Sequence, residues 1–209
     1  MAATAIRIKS QWFRPGKPKT PEQQAGAMGF TIWRVARQSL DRMREAGFDI
    51  DAGEPYFAFL REMLMFLIVV ADRLAHQRLE GDARAAFTTA LVLHVADTLQ
   101  GNELDLMGPP AAAAPRPRDR FIDLYNEVAA HYAEFGGEAG AAEYTPDFAA
   151  LRYLGSRLEP VLPAKDRRWV IDQVMAAQAP DAVALVQRTM RELHSDAPHR
   201  ARRGGLSGD

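Results

Sequence analysis

The sequence predicts an all-α fold: an irregular bundle of about six to seven helices around a central antiparallel helical hairpin running from Tyr56 to Leu99. Three observations carry that reading. Apolar residues recur at three- and four-residue steps along most of the chain, no segment alternates with period two over strand length, and no Asn-Gly or Asp-Gly turn joins β-branched runs. The densest apolar run, Met63-Leu64-Met65-Phe66-Leu67-Ile68-Val69-Val70-Ala71, leaves no polar position to turn toward water. A helix that is apolar all round has to be covered on every side, so the other helices are expected to be its cover. Arg61-Glu62 and Asp72-Arg73 bracket the run, which falls short of the roughly 20 apolar residues of a membrane span.

Residues 1–20 form a basic N-terminal arm with Arg7, Lys9, Arg14, Lys17 and Lys19 and no acid before Glu22, and Pro15 and Pro18 exclude a continuous helix. Trp12 and Phe13 sit in its middle beside Arg14. The aromatics either lie in a groove of their own domain or serve as a docking segment, which makes Trp12, Phe13 and Arg14 the candidate partner-binding residues.

Thr20-Pro21-Glu22-Gln23 has the form of a helix start, with a hydroxyl at N-cap, proline at N1 and glutamine at N3 to complete a capping box. Phe30, Trp33, Ala36, Leu40 and Met43 form the stripe that follows, and Gly47 ends it as a C′ glycine. Gly26 and Gly29 weaken the first turns by up to about 1 kcal/mol each against alanine, which points to close helix packing. The central hairpin is expected to turn at Glu80-Gly81-Asp82, with Asp82 as N-cap of its second helix and Gly101-Asn102 as its end.

Residues 108–118, rich in proline and alanine, read as a linker inside a single all-α domain spanning 21–195. Asp119 is expected to cap a fourth helix with Phe121, Leu124, Tyr125, Val128, Tyr132 and Phe135 on one face. Thr145-Pro146 repeats the cap-then-proline start for a fifth, with Phe148, Leu151, Leu154, Leu158 and Val161. A sixth, 164–178, holds Trp169, Val170, Val174 and Met175, and Pro180 opens a last helix with Val183, Val186, Met190 and Leu193. Residues 196–209 read as a flexible C-terminal tail.

Composition narrows the chemistry. The chain has no cysteine, which removes disulfides, thiolate metal ligands and thiol nucleophiles. Lys and Arg number 26 against 27 for Asp and Glu, so no global field favours nucleic acid or an anionic membrane. The cluster Lys165-Asp166-Arg167-Arg168-Trp169 combines cations with an aromatic but lacks the context of a recognition helix, and Arg167 and Arg168 are expected to pair with acids on neighbouring helices. The N-terminus lacks the apolar core of a secretory signal, so the cytoplasm is the expected location.

Three carboxylate and histidine pairs each project from one helix face: Asp72 with His76, His94 with Asp97, and Glu127 with His131. None has the Glu-x-x-His spacing of a di-iron bundle. Phosphate-binding glycine loops and a Gly-x-Ser-x-Gly elbow are missing, and Ser39, Ser156 and Ser195 have no nearby histidine except His194. The sequence therefore implies no cofactor and no metal. The reading it supports is a non-catalytic helical interaction protein, an adaptor or assembly factor, with a protein partner or a second copy of itself. The alternative is a bundle enzyme or ligand binder with a metal or small-molecule site between helices near His94 and His131.

Overall fold

The computed structural model describes residues 19–195, and all structural statements concern these. The order is α1 (Pro21–Glu45), α2 (Glu54–His76), α3 (Gly81–Met107), α4 (Pro117–Ala133), α5 (Phe148–Leu158), α6 (Arg167–Gln173) and α7 (Ala179–His194). Among the described residues no strand forms, and the sole bridge joins Gly137 to Pro146. The protein is an all-α irregular bundle, as its periodicity requires.

Helix α2 is the core. Every residue from Met63 to Ala71 is buried, and residues of all seven helices join one hydrophobic cluster with them. Helices α2 and α3 form the expected antiparallel hairpin, since Asp72 pairs with Arg84 near the turn and Arg61 with Glu103 far from it. Gly29 of α1 lies against His94 of α3, and eight residues further along both helices Arg37 shares a cleft with Asn102. Helices α1 and α3 therefore run parallel, with α2 antiparallel to both. Helices α4 and α5 cover other sides of α2, and α7 packs on α1 and α2.

The start of α1 follows local chemistry. The Thr20 hydroxyl accepts from the Gln23 N–H at 3.3 Å, and the Gln23 carboxamide accepts from the Thr20 N–H at 3.2 Å. Its end is a Schellman turn, with Phe48 N–H on the Met43 carbonyl at 3.1 Å and Gly47 at φ 91°.

Six expected boundaries move. The hairpin turns over 77–80, and α3 begins at Gly81 after Glu80 instead of being capped by Asp82. Gly101-Asn102 does not stop α3, because Asn102 bonds back to the Thr98 carbonyl at 2.8 Å; the helix runs to Met107 and ends on Gly108 at φ 79°. Helix α4 starts at Pro117 with Arg116 at N-cap in place of Asp119, since proline at N1 has the backbone angle of a first helical turn. Helix α5 starts after Asp147 and not Thr145: the Asp147 carboxylate accepts from Ala150 N–H at 2.8 Å, while Pro146 is held in the bridge to Gly137. Helix α5 also ends at Leu158, and a 3-10 turn, Glu159–Val161, finishes the segment around Pro160.

The sixth change is the largest. The sixth and seventh segments are one continuous rod, joined by a π-helical stretch, Val174–Gln178, in which Ala179 N–H reaches back five residues to the Val174 carbonyl. Pro180 supplies the reason, because in a regular α-helix its ring meets the carbonyl four residues earlier and it offers no N–H. The wider π turn relieves both demands without ending the helix.

Among the described residues no helix is long and apolar enough to cross a membrane.

Candidate functional site

The titratable side chains near the core are engaged with one another. Arg61 and Glu62 are adjacent on α2 and point to different neighbours. Arg61 donates to Glu54 and, at 3.2 Å, to Glu103 of α3, which also accepts from Arg120 of α4. Glu62 takes a bidentate pair from Arg157 of α5, at 2.9 and 2.7 Å. Burial pushes the Glu62 carboxyl above its ordinary range, opposed by the hydrogen bonds and charge of Arg157 and by the charge of Arg61. Each buried charge thus has a partner on another helix, which ties the cover helices to α2 in one arrangement.

A cleft of about 460 to 660 Å³ could hold a small ligand, and two clefts in that range differ in what their walls offer. The larger, about 660 Å³, lies beside the hairpin turn and contains Asp72, His76, Arg84 and Thr88. Asp72 accepts from Arg84 Nε at 3.0 Å, Arg84 Nη2 at 2.5 Å and Thr88 Oγ1 at 2.6 Å. Asp72, Arg84 and Thr88 are thus spent on each other. Tyr125 beside this pair is pushed up to about 12 by burial and by the Asp72 charge, so it stays a neutral phenol.

The smaller cleft, about 460 Å³, is different. Ala46, Gly47 and Phe48 at the end of α1 form one wall, and Asp166, Trp169, Asp172 and Ala176 form the other. Trp169 is 60% exposed. Asp166 accepts the Asp49 N–H at 2.9 Å through one oxygen, and Asp172 carries no hydrogen bond or ion pair from a described residue. The π stretch runs along this wall, and behind it Arg42 Nε donates to Gln178 Oε1 at 3.0 Å.

The histidines do not converge. His94 is exposed on α3, with its ring against Gly29 of α1, whereas the His131 ring lies 6.0 Å from that of Tyr153 on α5. His76 faces Arg84 at 3.4 Å. Among the described residues no group of three or more histidine, aspartate or glutamate side chains is placed to hold a metal ion. His94 and His131 thus stand at two different helix contacts, His94 against α1 and His131 beside Tyr153 of α5. Arg167 is corrected, since its Nε donates to the Leu162 carbonyl at 3.0 Å and it is Lys165 that pairs with an acid, Asp49.

Trp12, Phe13 and Arg14 lie outside the described residues. Sequence reasoning missed the Trp169 cleft because it placed Trp169 on a buried stripe. The signal that could have found it is the spacing of Asp166, Trp169 and Asp172, which three-residue steps put on one helix face. No known family, curated protein or solved structure matches this chain.

Proposed function

We propose that this chain is a non-catalytic helical interaction protein, an adaptor or assembly factor of the cytoplasm, that works through protein–protein contacts. One observation carries the proposal: Phe30, Phe148 and Trp169 stand 64%, 66% and 60% exposed on three different helices, while the charged groups near the core are engaged in ion pairs. Large aromatic side chains at that exposure are the material of interface anchors. Trp12, Phe13 and Arg14 of the basic arm add a second set of the same chemistry. The partner is another protein or a second copy of this chain.

The test is association of the purified full-length chain, followed by sedimentation velocity and by quantitative capture from its own cells. Phe30→Ser, Phe148→Ser, Trp169→Ser and Trp12→Ser are compared one at a time. At least one is expected to weaken an oligomer or a specific complex by about tenfold or more, with the melting temperature unchanged. A chain that stays monomeric and whose captured proteins none of the substitutions releases would overturn the proposal.

A further inference from the structure

The Trp169 cleft has a charge pattern that selects its occupant. Two carboxylates, Asp166 and Asp172, line it, and among the described residues no lysine, arginine or histidine does. The end of α1 forms the facing wall, and a helix C-terminus carries the equivalent of roughly half a negative charge. Lys165 is held by Asp49 at 3.0 Å and acts on Asp166 through its charge alone, so it leaves Asp172 outside that pairing. The two carboxylates disfavour an anion there. A purely apolar side chain would bury the Asp172 carboxylate without a partner, which is costly.

A long cationic side chain satisfies every wall. Its alkyl stem covers Phe48 and the Trp169 ring, whose face attracts a cation, while its head reaches the carboxylate of Asp172, and Asp166 adds its charge from the start of the same helix. The cleft is open on the Trp169 side, so a free small amine would stay largely in water. The same group carried on a polypeptide is held by the rest of its segment. The two walls are also tied together: the π stretch continues the helix that carries Trp169 and Asp172, and the Arg42 to Gln178 hydrogen bond joins that stretch to α1.

We propose that this cleft is the docking site for a lysine or arginine side chain of a basic segment on the partner protein. The proposal rests on the interaction reading above and specifies one contact within it.

The test uses full-length, nitrogen-15-labelled protein and the indole N–H signal of Trp169, assigned by its loss in Trp169→Phe. The probes are a synthetic glycine-spaced peptide carrying arginine and lysine, the same peptide with glutamate at those positions, and agmatine. The basic peptide is expected to shift the Trp169 signal saturably, and the acidic one to leave it in place. Asp172→Asn, at an exposed position, is expected to keep the melting temperature and weaken the peptide by about fivefold or more, and added salt to weaken it further. Trp169→Ala is expected to weaken it by about tenfold, read on the peptide's own signals.

No saturable shift, an equal shift with the acidic peptide, or unchanged affinity in Asp172→Asn would overturn the assignment. Agmatine saturating as tightly as the peptide would overturn it in favour of a free organic cation. If the peptide fails while a substitution of Phe30, Phe148 or Trp12 still disrupts a complex, the cleft assignment falls and the interaction reading stands.

Discussion

Single residues decide how closely the helices approach. A Cβ added at Gly29 would lie 2.4 Å from His94 Cδ2, so the glycine lets the α1 backbone meet a ring on α3. Alanine improves an exposed helix by about 1 kcal/mol over glycine, but here it must displace that ring. Gly29→Ala is therefore expected to lose its benefit in the native chain and recover about 1 kcal/mol in the His94→Ala background, a sign difference that a urea double-mutant cycle reads directly. Equal effects in both backgrounds would show that the two side chains do not meet. Glu62 gives a second residue-scale prediction. Burial holds its carboxyl above the usual carboxylate range and Arg157 opposes that shift. A carboxyl whose native pKa exceeds its unfolded value takes up protons on folding, so its contribution to stability is lost as pH rises through the native pKa. Arg157→Met leaves the buried charge unpaired and should cost about 3 kcal/mol at neutral pH. The deficit should shrink as pH falls through the raised Glu62 pKa toward the ordinary range, as denaturation at about pH 7 and pH 5 would show. A deficit independent of pH would mean that Arg157 acts through packing alone.

At the scale of elements, the ends of helices depend on more than their own turn. Thr20 caps α1 through a reciprocal box confined to three residues, and its signal is plain in Thr20-Pro21-Glu22-Gln23. Asp147 caps α5 through Ala150 N–H and also accepts the Gly136 N–H at 3.0 Å, so one carboxylate holds both a helix start and the loop after α4. Thr20→Ala is expected to cost about 1 kcal/mol, the size of a lost cap. Asp147→Ala should cost about 2 kcal/mol and speed amide exchange at Gly136 as well as in the first turn of α5. Protection at Gly136 that is untouched by the substitution would separate the two roles. Thr145-Pro146 carried the same outward signal as Thr20-Pro21 without being a start, because pairing of Gly137 with Pro146 claims that backbone first.

For the whole molecule, the hydrophobic cluster spans both sides of the connection between α3 and α4. Residues 109–116 of that connection are all exposed, yet Phe121, Val128, Leu154 and Met190 beyond it are buried with the residues of α2. A brief protease treatment is expected to cut first within 109–116 among the described residues, and the fragments should stay associated through gel filtration under native conditions. Fragments that separate would show that the ion pairs and the shared core do not hold the halves together. Early cutting within 63–71 would contradict the central place of α2.

The sequence by itself determined the helical class, the hairpin and the burial of residues 63–71, because a nine-residue apolar run and three- to four-residue periodicity leave the backbone no other way to shed water. It also determined the two ends of α1, where the capping residues are local in the chain. Only the tertiary structure decided which apolar residues stay outside, since Phe30, Phe148 and Trp169 fit the stripes by period and lack a neighbouring helix to cover them. It alone decided that Arg61 and Glu62 face different helices, that α6 and α7 join through a π turn, and that Asp172 comes to stand beside Trp169 and the end of α1 with no partner among the described residues. Those outcomes depend on residues distant in sequence, and spacing along one chain carries no information about which distant surface arrives to cover a side chain or pair with its charge.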